Sequence, residues 1–335
     1  MRILVAGANG YLGGRISEYL AARGNKVTAL VHQRPTNSSG WLSQMERVVE
    51  GDATDRDVLL SAMAGEVDCV VFTISLDHRE SENDPLTTLA VNVATFWMLL
   101  DICDQQGTGR VIYLSTQQVY GRYNVGEVIN EEAPLLPLNP YGLTHKYCED
   151  LCSLYKQEKG LNCISVRLSN SFGAPLFAGC NCWWLVVNDF CKTALQEGEL
   201  KLLSDGTPQR DFISVADVCR ALEMIATLPA SALKHMSYNL GSGRSHTILE
   251  VAHEVADICA GRYGKNFPVV LPGNEISYDA GHHRDMPRFT YNINRLKNLG
   301  FVPSTDLRPG IEEVLDFLQK TRQANNYEPD LPFIP

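Results

Sequence analysis

No two cysteines in this chain have the Cys-x-x-Cys spacing, although ten occur among its 335 residues. That absence removes the usual zinc and thioredoxin-like signatures. Cys180-Asn181-Cys182 is the closest pair, and with Cys191 it lacks a His or Cys partner at ligand spacing, so no metal is expected. Reduced thiols in a core are the expectation. An uninterrupted run of about 18 apolar residues is also missing, so no membrane span is expected. Positive charge is scarce, with 29 Lys and Arg against 39 Asp and Glu and a net charge of −10. Nucleic acid and anionic membrane surfaces are therefore excluded as main partners. An anionic small ligand stays open, because a few arginines in a cleft act locally. The opening Met1-Arg2-Ile3-Leu4-Val5-Ala6-Gly7 is too short for a signal peptide and reads as a buried strand, which leads to a cytoplasmic expectation.

What is present has the texture of an ordinary globule, with 44% apolar and 20% charged residues. Short apolar runs alternate with helical patterns through the first half. Strands are predicted at Ile3–Ala6, Val27–Val31, Val48–Val49, Cys69–Phe72, Arg110–Leu114 and Cys163–Leu168. Helices are predicted at Leu12–Ala22, Asp55–Met63, Pro85–Gln105 and Tyr141–Glu158. That alternation implies an α/β fold with a doubly wound parallel sheet. After Gly173 the pattern loosens, and helices recur at Leu185–Gln196, Val215–Ala226, Ile248–Ala260 and Gly310–Lys320. The division expected is a dinucleotide-binding domain over 1–173, to which later segments return, a smaller mixed lobe over 174–325, and a tail over 326–335.

Gly7-Ala8-Asn9-Gly10-Tyr11-Leu12-Gly13 follows the first strand and opens the first helix. In that setting the glycines permit a tight turn, a close approach to a pyrophosphate and close helix–strand packing. The helix N-terminus adds N–H donors and positive potential. At the end of the second strand, where NAD enzymes usually carry an acid for the ribose, Val31 is followed by His32-Gln33-Arg34. His32 and Arg34 suit a 2′-phosphate, which favours NADP, with NAD as the alternative.

Tyr141, His145, Cys148, Cys152, Tyr155 and Lys159 follow one another at steps of four and three, so they share one helix face. The first turn of that face should meet the cofactor at the carboxyl ends of the strands. Cys148 and Cys152 then belong to the core. Tyr155 and Lys159 also spell Tyr-x-x-x-Lys, but they sit at the far end of the helix.

Together the glycine loop, Ser115-Thr116-Gln117-Gln118-Val119-Tyr120-Gly121 and Asn139-Pro140-Tyr141-Gly142-Leu143-Thr144-His145 resemble the extended short-chain dehydrogenase/reductases, chiefly the nucleotide-sugar epimerases, reductases and dehydratases. The resemblance covers Met1 to about Lys320. It implies a Rossmann domain and a catalytic set of Thr116, Tyr141 and His145, with Ser115 and Ser169 beside the nicotinamide. Further cofactor contacts are implied at Asn9, Tyr11, Leu12, Asp52 and Ala53, Thr73-Ile74-Ser75 and Asn92. Substrate diphosphate contacts are implied at Asn170, in Arg167-Leu168-Ser169-Asn170, at Arg210, and at His282 or Arg284.

One position departs from the pattern. The family places lysine where this chain has His145. The lysine ammonium lowers the tyrosine pKa and anchors the ribose, whereas a histidine with an ordinary pKa of about 6.5 is mostly neutral at pH 7. Three readings stay open: a weaker substitute for the lysine, a reaction needing less basic assistance such as a reduction, or a degenerate site. Family dehydratases carry carboxylates at the positions of Gln117 and Gln118, and amides cannot act as acid and base. The resemblance thus implies an NAD(P)-dependent epimerase or oxidoreductase acting on a nucleoside-diphosphate sugar. The rivals are a non-nucleotide carbonyl reductase and a catalytically degenerate cofactor sensor. The segment from Leu86 to Leu100 is apolar almost all round. One face needs a partner beyond the sheet. Family members pair this helix with the Tyr141 helix, so a homodimer through the 85–105 and 141–158 helices is expected.

Overall fold

The computed structural model describes residues 1–36, 38–279, 281, 286–304 and 306–325. Seven strands form the central sheet: β1 Arg2–Ala6, β2 Lys26–Val31, β3 Arg47–Glu50, β4 Cys69–Phe72, β5 Arg110–Thr116, β6 Cys163–Leu168 and β7 Ser237–Leu240. Their order is β7-β6-β5-β4-β1-β2-β3, and every pairing is parallel. The order reverses direction between β1 and β4, the crevice at which open α/β sheets bind ligands.

Both faces of the sheet are covered, so its strands read as continuous apolar runs. On one face Ile3, Val5, Ala29, Ile112 and Val166 pack with Ile16 and Leu20 of α1 (Tyr11–Ala22). On the other, Leu4, Leu30, Val70, Phe72 and Tyr113 pack with two longer helices. One is α2 (Pro85–Gln106), which includes a π turn at Leu89–Ala94. The other is α3 (Pro140–Lys159), started by Asn139, whose Oδ1 accepts from Gly142 N at 2.7 Å, with Pro140 in its first turn. Proline suits that position, where its missing N–H costs nothing.

The expected helices after Gly173 are α4 Val186–Glu197, α5 Val215–Thr227, α6 Ile248–Tyr263 and α7 Arg308–Asn325. α4, α6 and α7 share a separate core around Phe190, Val251, Val255 and Val314. α5 instead returns to pack on α1 and the first face of the sheet. Tyr238-Asn239-Leu240, expected in the carboxyl lobe, lies instead in β7 as the edge of the central sheet, because it pairs with β6 from Ser165 to Leu168. The expected 326–335 tail lies outside the described residues.

All ten cysteines are free and buried. The membrane expectation needs a qualification. α2 is long and apolar enough to cross a membrane by length and composition, although no uninterrupted apolar run exists. Half of its most apolar window is buried, with Phe96, Leu99 and Leu100 inside the sheet core. Among the described residues no cluster of three or more His, Cys, Asp or Glu is placed to hold a metal ion.

Candidate active site

The glycine loop lies at the carboxyl end of β1. Gly7 adopts φ +89°, and a Cβ there would lie 2.8 Å from Thr73 Oγ1. A Cβ on Gly13 would stand 2.1 Å from the Gly7 carbonyl oxygen, so only glycine lets α1 approach the loop. Thr73 locks the arrangement from β4, its hydroxyl donating to the Ala6 carbonyl at 2.8 Å.

A cavity of about 400 Å³ opens over this loop. Its wall joins Gly10, Tyr11, Leu12 and Gly13 to Thr73 and Ser75, then to Ser115, Thr116, Tyr141 and His145, and finally to Ser169 and Asn170. The donor-rich loop, the cradle that a Cβ would fill and the first turn of α1 fit a dinucleotide pyrophosphate.

The catalytic candidates meet because of one clasp. Asn139 Nδ2 donates to Gln118 Oε1 at 2.9 Å, tying the start of α3 to the turn after β5. Thr116 and Tyr141 are thereby brought together, and the Thr116 hydroxyl bonds the phenol and favours its ionisation. Burial outweighs that help and pushes the Tyr141 phenol up to about 12. His145 meets Tyr141 edge to face, with ring centroids 4.4 Å apart. It is only 2% exposed, and burial depresses its pKa to about 3. Its Nδ1 lies 2.8 Å from Tyr113 Oη and its Nε2 lies 3.3 Å from Ser75 Oγ. The imidazole is therefore neutral. It cannot supply the lysine's charge.

Asn92 sits in the π turn of α2 and is not on the cavity wall. Its Oδ1 accepts from Leu76 N at 2.8 Å and its Nδ2 donates to Thr144 Oγ1 at 3.2 Å, so it braces the β4 loop against α3. Ser115 and Ser169 reach the cavity, but their hydroxyls are engaged. Ser115 donates to Glu149 at 2.5 Å and Ser169 to Asp211 at 2.7 Å. Asn170 Nδ2 donates to the Asp211 carbonyl at 2.9 Å. Arg210, on the strand Gln209–Ser214, is not among the cavity-lining residues. His282 and Arg284 lie outside the described residues.

The adenine-side candidates stand at the rim. Asp52 accepts from Thr54 N and Thr54 Oγ1 at 2.9 and 2.8 Å, which lowers its pKa. Asn9 Nδ2 donates to the Gln33 carbonyl at 3.3 Å. Arg34 Nε lies 3.1 Å from Glu50 Oε2 at the end of β3. Ala53 and Ile74 are half-buried, and His32 is exposed.

Sequence reasoning missed Tyr113 and Glu149 and gave Arg167, the first residue of the Asn170 motif, no role of its own. Glu149 and Arg167 form a buried ion pair at 2.7 Å directly behind Ser115. The signal for Tyr113 was present. Two-residue alternation along β5 places it on the same face as Ser115, beneath α3. Trp184 and Gln117 also line the cavity, and the Trp184 Nε1 and Gln117 Oε1 atoms are buried with no partner among the described residues.

The profile of the NAD dependent epimerase/dehydratase family matches residues 3–241. The chain belongs to that family. It is 25% identical over 328 residues to a putative UDP-glucose 4-epimerase of Methanocaldococcus jannaschii, covering 96% of this chain and 100% of that one. It is 27% identical over 333 residues to a dTDP-glucose 4,6-dehydratase of Streptomyces antibioticus, covering 96% and 93%. The solved UDP-glucose 4-epimerase of Thermus thermophilus, in complex with NAD, superposes with a TM-score of 0.77 at 26% identity over 95% of this chain and 99% of that one. The family is thus one of NAD-dependent nucleotide-sugar enzymes, with both epimerases and dehydratases among the relatives.

A pH test follows from the buried imidazole. In the folded chain it stays neutral down to about pH 3. In the unfolded chain it takes a proton below about 6.5. Between those limits the unfolded state binds more protons, so stability is lost as pH falls. His145→Gln removes that contribution. The melting temperature of the unmodified chain should fall more steeply from pH 7 to pH 4 than that of the variant. Parallel curves would show that His145 titrates normally in the fold.

Proposed function

We propose that this chain is an NAD-dependent epimerase acting at a ring carbon of a nucleoside-diphosphate sugar. The observation that carries the proposal is the meeting of Thr116, Tyr141 and neutral His145 over the glycine loop, with amides rather than carboxylates at 117 and 118. Bound NAD supplies reversible hydride transfer. Tyr141 holds or releases the proton at the reacting oxygen, and Thr116 shares a hydrogen bond with that group. His145 orients and donates without adding charge. Asp77 and Glu80 also face the cavity, but they are committed to the cap of the helix His78–Asn83. An elimination would need a second group able to transfer protons, and Gln117 and Gln118 have none to offer.

The test is incubation with a panel of nucleoside-diphosphate sugars and NAD, with products followed by NMR. The expected outcome is interconversion of two epimers, lost in Tyr141→Phe. Turnover should climb with pH, because the oxidative step needs the phenolate and Tyr141 titrates near 12. A 4-keto-6-deoxy product would identify a dehydratase. In a parallel incubation with NADH in place of NAD, net oxidation of the NADH would identify a reductase. Activity surviving in Tyr141→Phe would place the chemistry elsewhere.

The cofactor is read as NAD. Sequence reasoning favoured NADP through His32 and Arg34, yet Glu50 neutralises Arg34 and presents a carboxylate where a 2′-phosphate would need a cation. Calorimetry should show NAD bound more tightly than NADP, and Glu50→Gln should narrow the gap by roughly tenfold, about 1.4 kcal/mol. Tighter NADP binding by the unmodified chain would reverse this reading.

The assembly is read as a homodimer. Leu86, Leu89 and Trp97 on α2 and Leu143, Tyr147 and Leu154 on α3 are exposed. Exposed apolar side chains on two neighbouring helices suit a partner, and a two-fold axis lets one patch cover itself. Light scattering at micromolar concentration should give twice the chain mass, and Trp97→Glu should halve it. A strictly monomeric unmodified chain would sink the idea.

A further inference from the structure

We infer that Tyr113 is a positioning residue for His145, locking the imidazole in the Nε2–H tautomer so that a neutral N–H donor faces the cofactor cavity. The inference rests on the reading of that cavity as a dinucleotide site, but the tautomer itself is decided by buried hydrogen bonds.

Tyr113 is 1% exposed, so its hydroxyl needs a partner within the protein. Two groups can accept from it. One is His145 Nδ1, at 2.8 Å. The other is the sulfur of Cys148, a weak acceptor whose own S–H is directed to the Asn92 carbonyl at 3.3 Å. The ring nitrogen is the better acceptor, so the phenol donates to Nδ1. A neutral imidazole that accepts at Nδ1 carries its hydrogen on Nε2.

The other side of the ring agrees. Ser75 Oγ donates to the Leu76 carbonyl at 2.9 Å, so a lone pair is free to face Nε2–H at 3.3 Å. Donors then run in one direction, from Tyr113 through His145 and Ser75 to the Leu76 carbonyl. The opposite tautomer would turn Tyr113 toward sulfur and require Ser75 to abandon its shorter bond. His145 and Ser75 both line the cavity, and the 3.3 Å contact is long. A ligand hydroxyl can share that N–H. It is the one lysine property the imidazole retains, a donor without the charge.

The tautomer is read from nitrogen NMR of the unliganded full-length chain with labelled histidine, His145→Gln assigning the signal. The expected result is a neutral ring protonated on Nε2 and accepting at Nδ1, converted by Tyr113→Phe to a mixture of tautomers. An Nδ1–H ring in the unmodified chain overturns the inference, whatever happens to the phenylalanine variant. Calorimetry with NAD gives the second readout. Tyr113→Phe should weaken binding about fivefold, the equivalent of one hydrogen bond. In a His145→Gln background, whose amide has no tautomers, the same substitution should have no further effect. Equal losses in both backgrounds would make Tyr113 a packing residue and overturn the inference. Failure of the unmodified chain to bind NAD would refute the cofactor reading, while the NMR spectrum would still decide the tautomer.

Discussion

The buried ion pair between Glu149 and Arg167 is the constraint around which the site is built. Both side chains are 6% exposed. Charges so deeply buried persist only when fully hydrogen-bonded, and loss of one partner costs about 3–5 kcal/mol. All three guanidinium nitrogens and both carboxylate oxygens have partners. Glu149 takes three contacts from Arg167 and one from Ser115. Arg167 also donates to Tyr120 Oη at 2.7 Å and to the Glu131 carbonyl at 3.1 Å. Tyr120 passes its own hydrogen to Asn239 at 2.6 Å. The network joins β5, α3, β6 and β7, and β5 and α3 carry the catalytic candidates. The strand end bearing Thr116 and the helix bearing Tyr141 are held in relation by charge from beneath and by the Asn139–Gln118 clasp from above.

Against that rigid floor, the replacement of lysine by His145 is a change of electrostatics rather than of architecture. A lysine would bring a permanent charge beside the phenol. The imidazole brings none, because burial holds its pKa near 3. The phenol is left with the Thr116 hydrogen bond, which does not offset desolvation. The charge that bears on Tyr141 is the Asp77 carboxylate, which raises its pKa further, so the phenol keeps its proton over the physiological range. Of the three sequence readings of His145, the proposed function rests on the weaker substitute for the lysine, a ring that can donate but adds no charge.

Much of the fold was legible because its signals are local. The apolar runs of β1, β4 and β6 are buried on both faces, and the glycine loop lies between β1 and α1 as its spacing implied. The stripe from Tyr141 through Cys152 faces the sheet. What could not be read depended on long-range partners. Tyr238-Asn239-Leu240 is too short a run to announce a strand, and its place at the sheet edge is set by pairing with β6. Asn92 resembled a cofactor residue, yet its amide is spent on Leu76 and Thr144. Arg34 looked free in the sequence. Its counter-charge, Glu50, is 16 residues away and arrives only because β2 and β3 are parallel neighbours.

Gln117 and Gln118 show how one residue type splits into two roles. Gln118 spends its carbonyl on Asn139 and its backbone N–H on Thr116. It is part of the frame, and a carboxylate there could accept from Asn139 in the same way. Gln117 has no such duty. Its Oε1 is buried at the cavity wall without a partner among the described residues. A carboxylate at that point would be desolvated in a cavity whose described lining includes the Tyr141 phenol and the neutral His145 ring but no Lys or Arg to stabilise it. An amide is neutral at every pH and avoids that penalty. It still offers an acceptor to whatever enters. The uncharged state of His145 and the amide at 117 are therefore consistent with one another: neither leaves a buried charge without a counter-charge at the cavity wall.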